Sequence, residues 1–109
     1  NINSIKDFEK NINKRIEYER FRGNILIDSL EPWEEFKLLK KIIKIGDVKF
    51  LVDSKIPRCA ATNINPANFN LDISLPSKLI KIYGHKYLGI YLIPQNSGTI
   101  KNNDKIIVY

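Results

Sequence analysis

Cys59 is the only cysteine of the chain. It stands in the tract Lys55-Ile-Pro-Arg-Cys-Ala-Ala-Thr62, between a strand-like run and an Asn-rich loop. A thiolate there is a soft ligand suited to a polarisable metal centre, and ligation holds it deprotonated. Upstream, Arg20-Phe-Arg-Gly-Asn24 sets Arg20, Arg22 and Asn24 at alternate positions, on one face if the segment is extended. Arg22 offers a planar fork for a phosphate or a carbonyl, and Asn24 donates and accepts beside it. One small domain thus carries a metal-ligating thiol and a row of anion-binding donors. Arg58 adjoins the thiol, but neighbours on a regular strand point to opposite faces. It shares the Cys59 site only through a bulge or at a strand end.

Each of these residues also has a plainer reading. An isolated Cys among Ile, Pro and Ala reads as a small buried hydrophobe. Arg20 and Arg22 can pair at the surface with Glu17 or Glu19. Glu34-Glu35 reads as a solvated helix start rather than an acid–base pair. His85 follows Gly84 in a polar turn and reads as solvent-exposed, outside any triad or metal site. Trp33 beside Pro32 is a packing anchor, and Tyr83, Tyr87 and Tyr91 suit core and edge packing better than a base-stacking platform.

The elements that must position these groups begin with a helix. Ser4 and Asp7 resemble a capping box, and Ile5, Phe8, Ile12 and Ile16 form an apolar stripe opposite Lys6, Lys10 and Lys14. From Arg20 the period changes, and Asn24-Ile-Leu-Ile-Asp28 is a short, strongly apolar run. Gly46-Asp47 separates Lys41–Ile45 from Val48–Val52 as a hairpin turn does. Ser74 to Gly84, with an N-cap, an early Pro and a terminal Gly, predicts a short second helix. Tyr87–Ile93 and Lys105–Tyr109 read as strands, with turns at Asn96-Ser-Gly98 and Asn102-Asn103-Asp104 between them. The strands outnumber the helices and their connections are too short for crossovers. The expected class is mostly β (α+β): a small, curved or barrel-like sheet with short flanking helices.

At 109 residues the chain supports one domain with one modest core. It opens on Asn rather than Met, which reads as an excised or processed piece, and no secretory or membrane-spanning segment is visible. A single Cys excludes an internal disulfide and a four-Cys zinc framework, and it suits a reducing compartment, by default the cytoplasm. Eighteen Lys and Arg against twelve Asp and Glu give a net charge of +6. Most of the excess is Lys in a sequence dense in Asn and Ile, so a solvated basic surface is favoured over a nucleic-acid footprint.

The residues together resemble the C-terminal part of a MOSC domain, the domain of molybdenum-cofactor sulfurases and amidoxime-reducing molybdoenzymes. The likeness is carried in order by Arg20-Phe-Arg-x-Asn24, Glu34-Glu35, Ile45-Gly-Asp-Val48, Arg58-Cys-x-x-Thr62, Asn65-Pro66, Gly89-x-Tyr91, and Gly98-x-Ile100 with Asp104. It covers residues 20–109, with 1–19 as a helical lead-in. Gly23 stands where family members usually carry Pro, and Asn103 where they carry Gly.

The resemblance implies a molybdenum-cofactor (molybdopterin) site. Cys59 would be the metal ligand or a persulfide-carrying, catalytic cysteine, and Arg22 and Asn24 would contact the pterin, with Arg58 second to them. It implies either reduction of N-hydroxylated or N-oxide substrates or sulfur transfer to the cofactor. The partners would be the N-terminal remainder of the protein and a redox or sulfur donor, such as an iron–sulfur or pyridoxal-phosphate domain outside this chain. A different class remains open: a non-catalytic basic β-domain binding nucleic acid or an acidic protein, whose binding weakens with salt and ignores Cys59→Ser. So does a degenerate MOSC relative kept as an interaction module.

Overall fold

The N-terminal apolar stripe forms a helix, α1 (Ile2–Ile12), in the computed structural model, which describes residues 1–109. Its cap is Asn1, whose side chain accepts from the Asn3 N–H, and not the Ser4–Asp7 box. Ser4 lies one turn inside the helix, fully buried. Asn13, in left-handed conformation (φ 51°), ends the helix, so Ile16 leaves it yet still enters the core.

Ser4 has a partner that takes it away from capping. Its hydroxyl lies 2.7 and 2.9 Å from the two carboxylate oxygens of Glu35, and it accepts from the Trp33 N–H at 2.8 Å. Glu35, on the 3-10 turn Glu34–Leu38, is only 1% exposed, against the solvated reading, while Glu34 is half-buried and accepts from the Glu31 N–H. A carboxylate is buried here because hydroxyl and amide donors meet it. Ser4→Ala removes one of those donors and orphans the Trp33 N–H. It is expected to cost about 2 kcal/mol, read as a fall in melting temperature of about 10 °C; an unchanged melt would mean the pair contributes nothing.

The sheet follows the sequence pattern closely. Strands β1 (Ile42–Ile45) and β2 (Val48–Pro57) form a hairpin with Ile45 opposite Val48. Gly46 carries φ 55°, as a tight primed turn requires of its first central residue. After α2 (Leu75–Tyr83), capped by left-handed Gly84, come β3 (Tyr87–Pro94) and β4 (Ile106–Val108). All pairings are antiparallel in the order β3-β2-β1-β4, a curled sheet that stays open at β3 and β4 rather than closing into a barrel.

Two apolar clusters hold these elements. In one, Phe8 and Ile5 of α1 meet Leu75 and Leu79 of α2, with Phe21 and Leu88. The other lines the β1–β2 hairpin, where Ile43 and Val52 pack against Ile27, Leu30 and Leu38. The apolar run 24–28 supplies Ile27 to this second cluster but joins no strand.

Candidate functional site

Residues 20–24 do not form the extended face that alternation predicts. Tyr18–Phe21 curls into a 3-10 turn closed by Arg20 N–H to Glu17 O and Arg22 N–H to Glu19 O, and Arg22 sits at φ 50°. Curling sends Arg20 inward and leaves Arg22, Gly23 and Asn24 exposed. The Arg20 side chain is wholly buried. Nε meets Glu17 at 2.6 Å, Nη1 the Thr62 carbonyl at 3.2 Å, and Nη2 both oxygens of Asp72 at 2.8 and 2.9 Å. Burial works against the Arg20 cation, but the hydrogen bonds it donates to Asp72 and Glu17 outweigh that and raise its pKa. Arg20 is therefore a structural rivet between the turn and the 60–72 loop, with no donor left for a ligand on Nε or Nη2.

Cys59 is exposed, which overturns the reading of a buried small hydrophobe. It begins the 3-10 turn Ala60–Asn63, and its carbonyl accepts from both the N–H (3.1 Å) and the hydroxyl (2.7 Å) of Thr62. Thr62 thus holds the backbone while the thiol stays free, a role signalled only by its spacing of three from Cys59.

Arg58 directly follows the end of β2, the strand-end placement under which it can share the site. Its Nε donates to the Leu88 carbonyl at 2.9 Å and Nη1 to the Phe21 carbonyl at 3.0 Å, with the guanidinium carbon 5.0 Å from the Phe21 ring centroid. Burial pushes its pKa down, opposed by Tyr91 and Cys59; an arginine so placed stays a cation at neutral pH. Nη2 makes no hydrogen bond within the chain. Cys59, Arg58 and the turn bearing Arg22 accordingly meet in one region. Asn24 instead lines a cavity of ≈ 1170 Å³ between residues 24–29 and 100–106, which neither Cys59 nor Arg58 lines.

His85 is half-buried, not solvent-exposed, because an aromatic cluster surrounds it. Phe36, Tyr87, Trp33 and Tyr83 lie 5.7 to 6.1 Å from its ring. Desolvation, then Lys55, lowers its pKa, and its Nδ1 accepts the Tyr87 N–H. Trp33 anchors this cluster as expected, its ring 4.4 Å from that of Tyr83 at a tilt of 52° and its Nε1–H donating to Asp7.

No group of three or more His, Cys, Asp or Glu is arranged to hold a metal ion. Cys59 alone offers one soft ligand, which fits a metal that brings its other ligands with it and does not fit a four-ligand zinc site.

Comparison with known proteins places the chain in a family. The family model described as the MOSC domain matches residues 1–107, including the helical lead-in. The chain is 30% identical over 80 residues to mitochondrial amidoxime reducing component 2 of Rattus norvegicus, covering 73% of this chain and 23% of that protein. It is 38% identical over 58 residues to molybdenum cofactor sulfurase of Drosophila mojavensis, 53% of this chain and 7% of that protein. The chain thus spans less than a quarter of either curated relative.

Proposed function

The chain belongs to the MOSC domain family, and on that premise we propose that it forms part of a molybdenum-cofactor site, with Cys59 as the protein ligand to the metal. The observation that carries this reading is the exposed Cys59 thiol joined, through Arg58, to the turn that presents Arg22. Arg22 and Asn24 are the proposed pterin contacts, and Arg58 adds the donors of its Nη2.

When bound, the cofactor supplies a two-electron redox centre or an acceptor for sulfur. The chain's own residues supply the rest. Cys59 ligates as thiolate, or holds sulfur as a persulfide; the two arginines neutralise the cofactor's anionic groups; and Thr62 keeps the Cys59 backbone fixed. The names of the two relatives support amidoxime reduction in one case and sulfuration of the molybdenum cofactor in the other. Either activity belongs to the whole protein, with an electron or sulfur donor outside these residues. A single unpaired thiol favours a reducing compartment, by default the cytoplasm, although the rat relative's name is mitochondrial. No helix is long and apolar enough to cross a membrane.

Arg22→Ala and Asn24→Ala test the pterin contacts. Each is expected to lower the pterin retained by the intact protein, about tenfold for Arg22 and less for Asn24, as loss of charged and neutral hydrogen bonds respectively. Pterin fluorescence after oxidative release reads the effect. Wild-type pterin content in both variants would remove these residues from the site.

A further inference from the structure

Arg58 spans three parts of the chain with one planar group. It follows β2, bonds the β3 backbone at Leu88, and bonds the turn at Phe21 while covering the Phe21 ring. The register of β2 and β3 explains how it reaches them. Lys55 pairs with Ile90 and Pro57 with Tyr87, so Leu88 and Gly89 together face the single residue Ile56. That extra residue is a β-bulge, and Gly89 occupies it at φ 85°, where a side chain is strained. Gly89 is also buried, and a Cβ there would come within 3.1 Å of Arg58 Nη2 and 3.5 Å of Ile56 Cδ1.

We infer that Arg58 is a positioning residue that clamps the Arg22-bearing turn to the Cys59 segment, and that Gly89 is the residue whose lack of a side chain gives the clamp its room. Its functional meaning rests on Cys59 and Arg22 forming one site, as proposed above. The clamp itself belongs to the chain without any cofactor. Arg58→Lys keeps the charge but not a fork able to reach two carbonyls at once. Gly89→Ala keeps Arg58, crowds its Nη2 by a few tenths of an ångström and strains the bulge at φ 85°.

Amide hydrogen exchange on the intact, cofactor-free protein tests the clamp. In both variants the amides of Arg20 and Arg22, bonded to Glu17 and Glu19, are expected to exchange about tenfold faster or more. The amides of Lys40 and Val52 beside the hairpin, bonded to Val52 and Lys41, keep wild-type rates. The double variant adds little to either single one, as residues acting through one contact do. Unchanged turn protection, equal acceleration of turn and hairpin, or fully additive effects would each overturn the clamp. Absence of cofactor binding in the wild-type protein would sink the function proposed above and leave this result standing.

Discussion

Cys59→Ser is expected to lower molybdenum retention by about a hundredfold or more, since even outer-shell changes at metal sites cost 10- to 100-fold. A hydroxyl is a poor, protonated substitute for a soft thiolate. The same variant leaves the fold almost untouched. The thiol is exposed and makes no hydrogen bond, while the turn is held by the backbone carbonyl of position 59 and by Thr62, both of which the substitution leaves in place. The melting temperature is therefore expected to move by no more than about 3 °C. Elemental analysis after dialysis, beside a thermal melt, reads both. Wild-type metal retention in a folded variant would show that Cys59 is not the ligand.

Arg20→Met is expected to do the reverse, unfolding the site without removing any proposed ligand. The side chain has no exposure, and Met fills much of its volume while abandoning Glu17, Asp72 and the Thr62 carbonyl. Its carboxylate partners are about a quarter exposed and can rehydrate, which keeps the cost below that of a fully buried pair. The loss is about 2–3 kcal/mol, or a fall in melting temperature of about 10–20 °C.

A pH signature accompanies it. Hydrogen bonding from Asn65 and then Arg20 lowers the Asp72 pKa. At Glu17, burial acts upward but is outweighed by bonds from its own backbone and Arg20, and the pKa is again lowered. Carboxylates depressed on folding stabilise above their unfolded pKa, about 4, and lose that contribution as pH falls through the folded values. The wild type should therefore weaken steeply below about pH 4, and Arg20→Met less so, since only the Asn65 and Lys14 shares remain at Asp72 and the backbone bond at Glu17. Urea midpoints across the acid range measure this; parallel curves would show that Arg20 does not set those carboxylates.

The elements whose signals are local were legible. The Gly46-Asp47 hairpin, the Ser74–Gly84 helix and the strands at Tyr87 and Ile106 depend on turn chemistry, capping and short-range pattern, and all appear. Asn103 adopts φ 72°, the left-handed conformation for which Asn substitutes for Gly. Where long-range partners compete, the reading failed. Ser4 lost its capping role to Glu35, which is 31 positions away, and Arg20 curled its segment to reach Asp72, 52 positions away.

The ordered motif likeness was informative about membership but mixed two kinds of residue. Gly46, Asp47, Gly98 and Asp104 gather at the hairpin tip, where the Asp47 N–H donates to the Thr99 carbonyl and a side chain on Gly98 would strike Asp47. Arg20, Arg22, Arg58, Thr62, Asn65 and Gly89 instead surround or brace the Cys59 region. Sequence order cannot separate a glycine that closes a turn from one that makes room for an arginine; the space around each does.

The molybdenum and pterin content of the intact protein, purified from cells able to make the cofactor, tests the central claim most directly. Both are expected to be present at about one per folded chain, as a single-ligand cysteine site with a cofactor that completes the coordination requires. A well-folded protein that carries neither would contradict the cofactor reading and return the basic surface, with its net charge of +6, to first consideration.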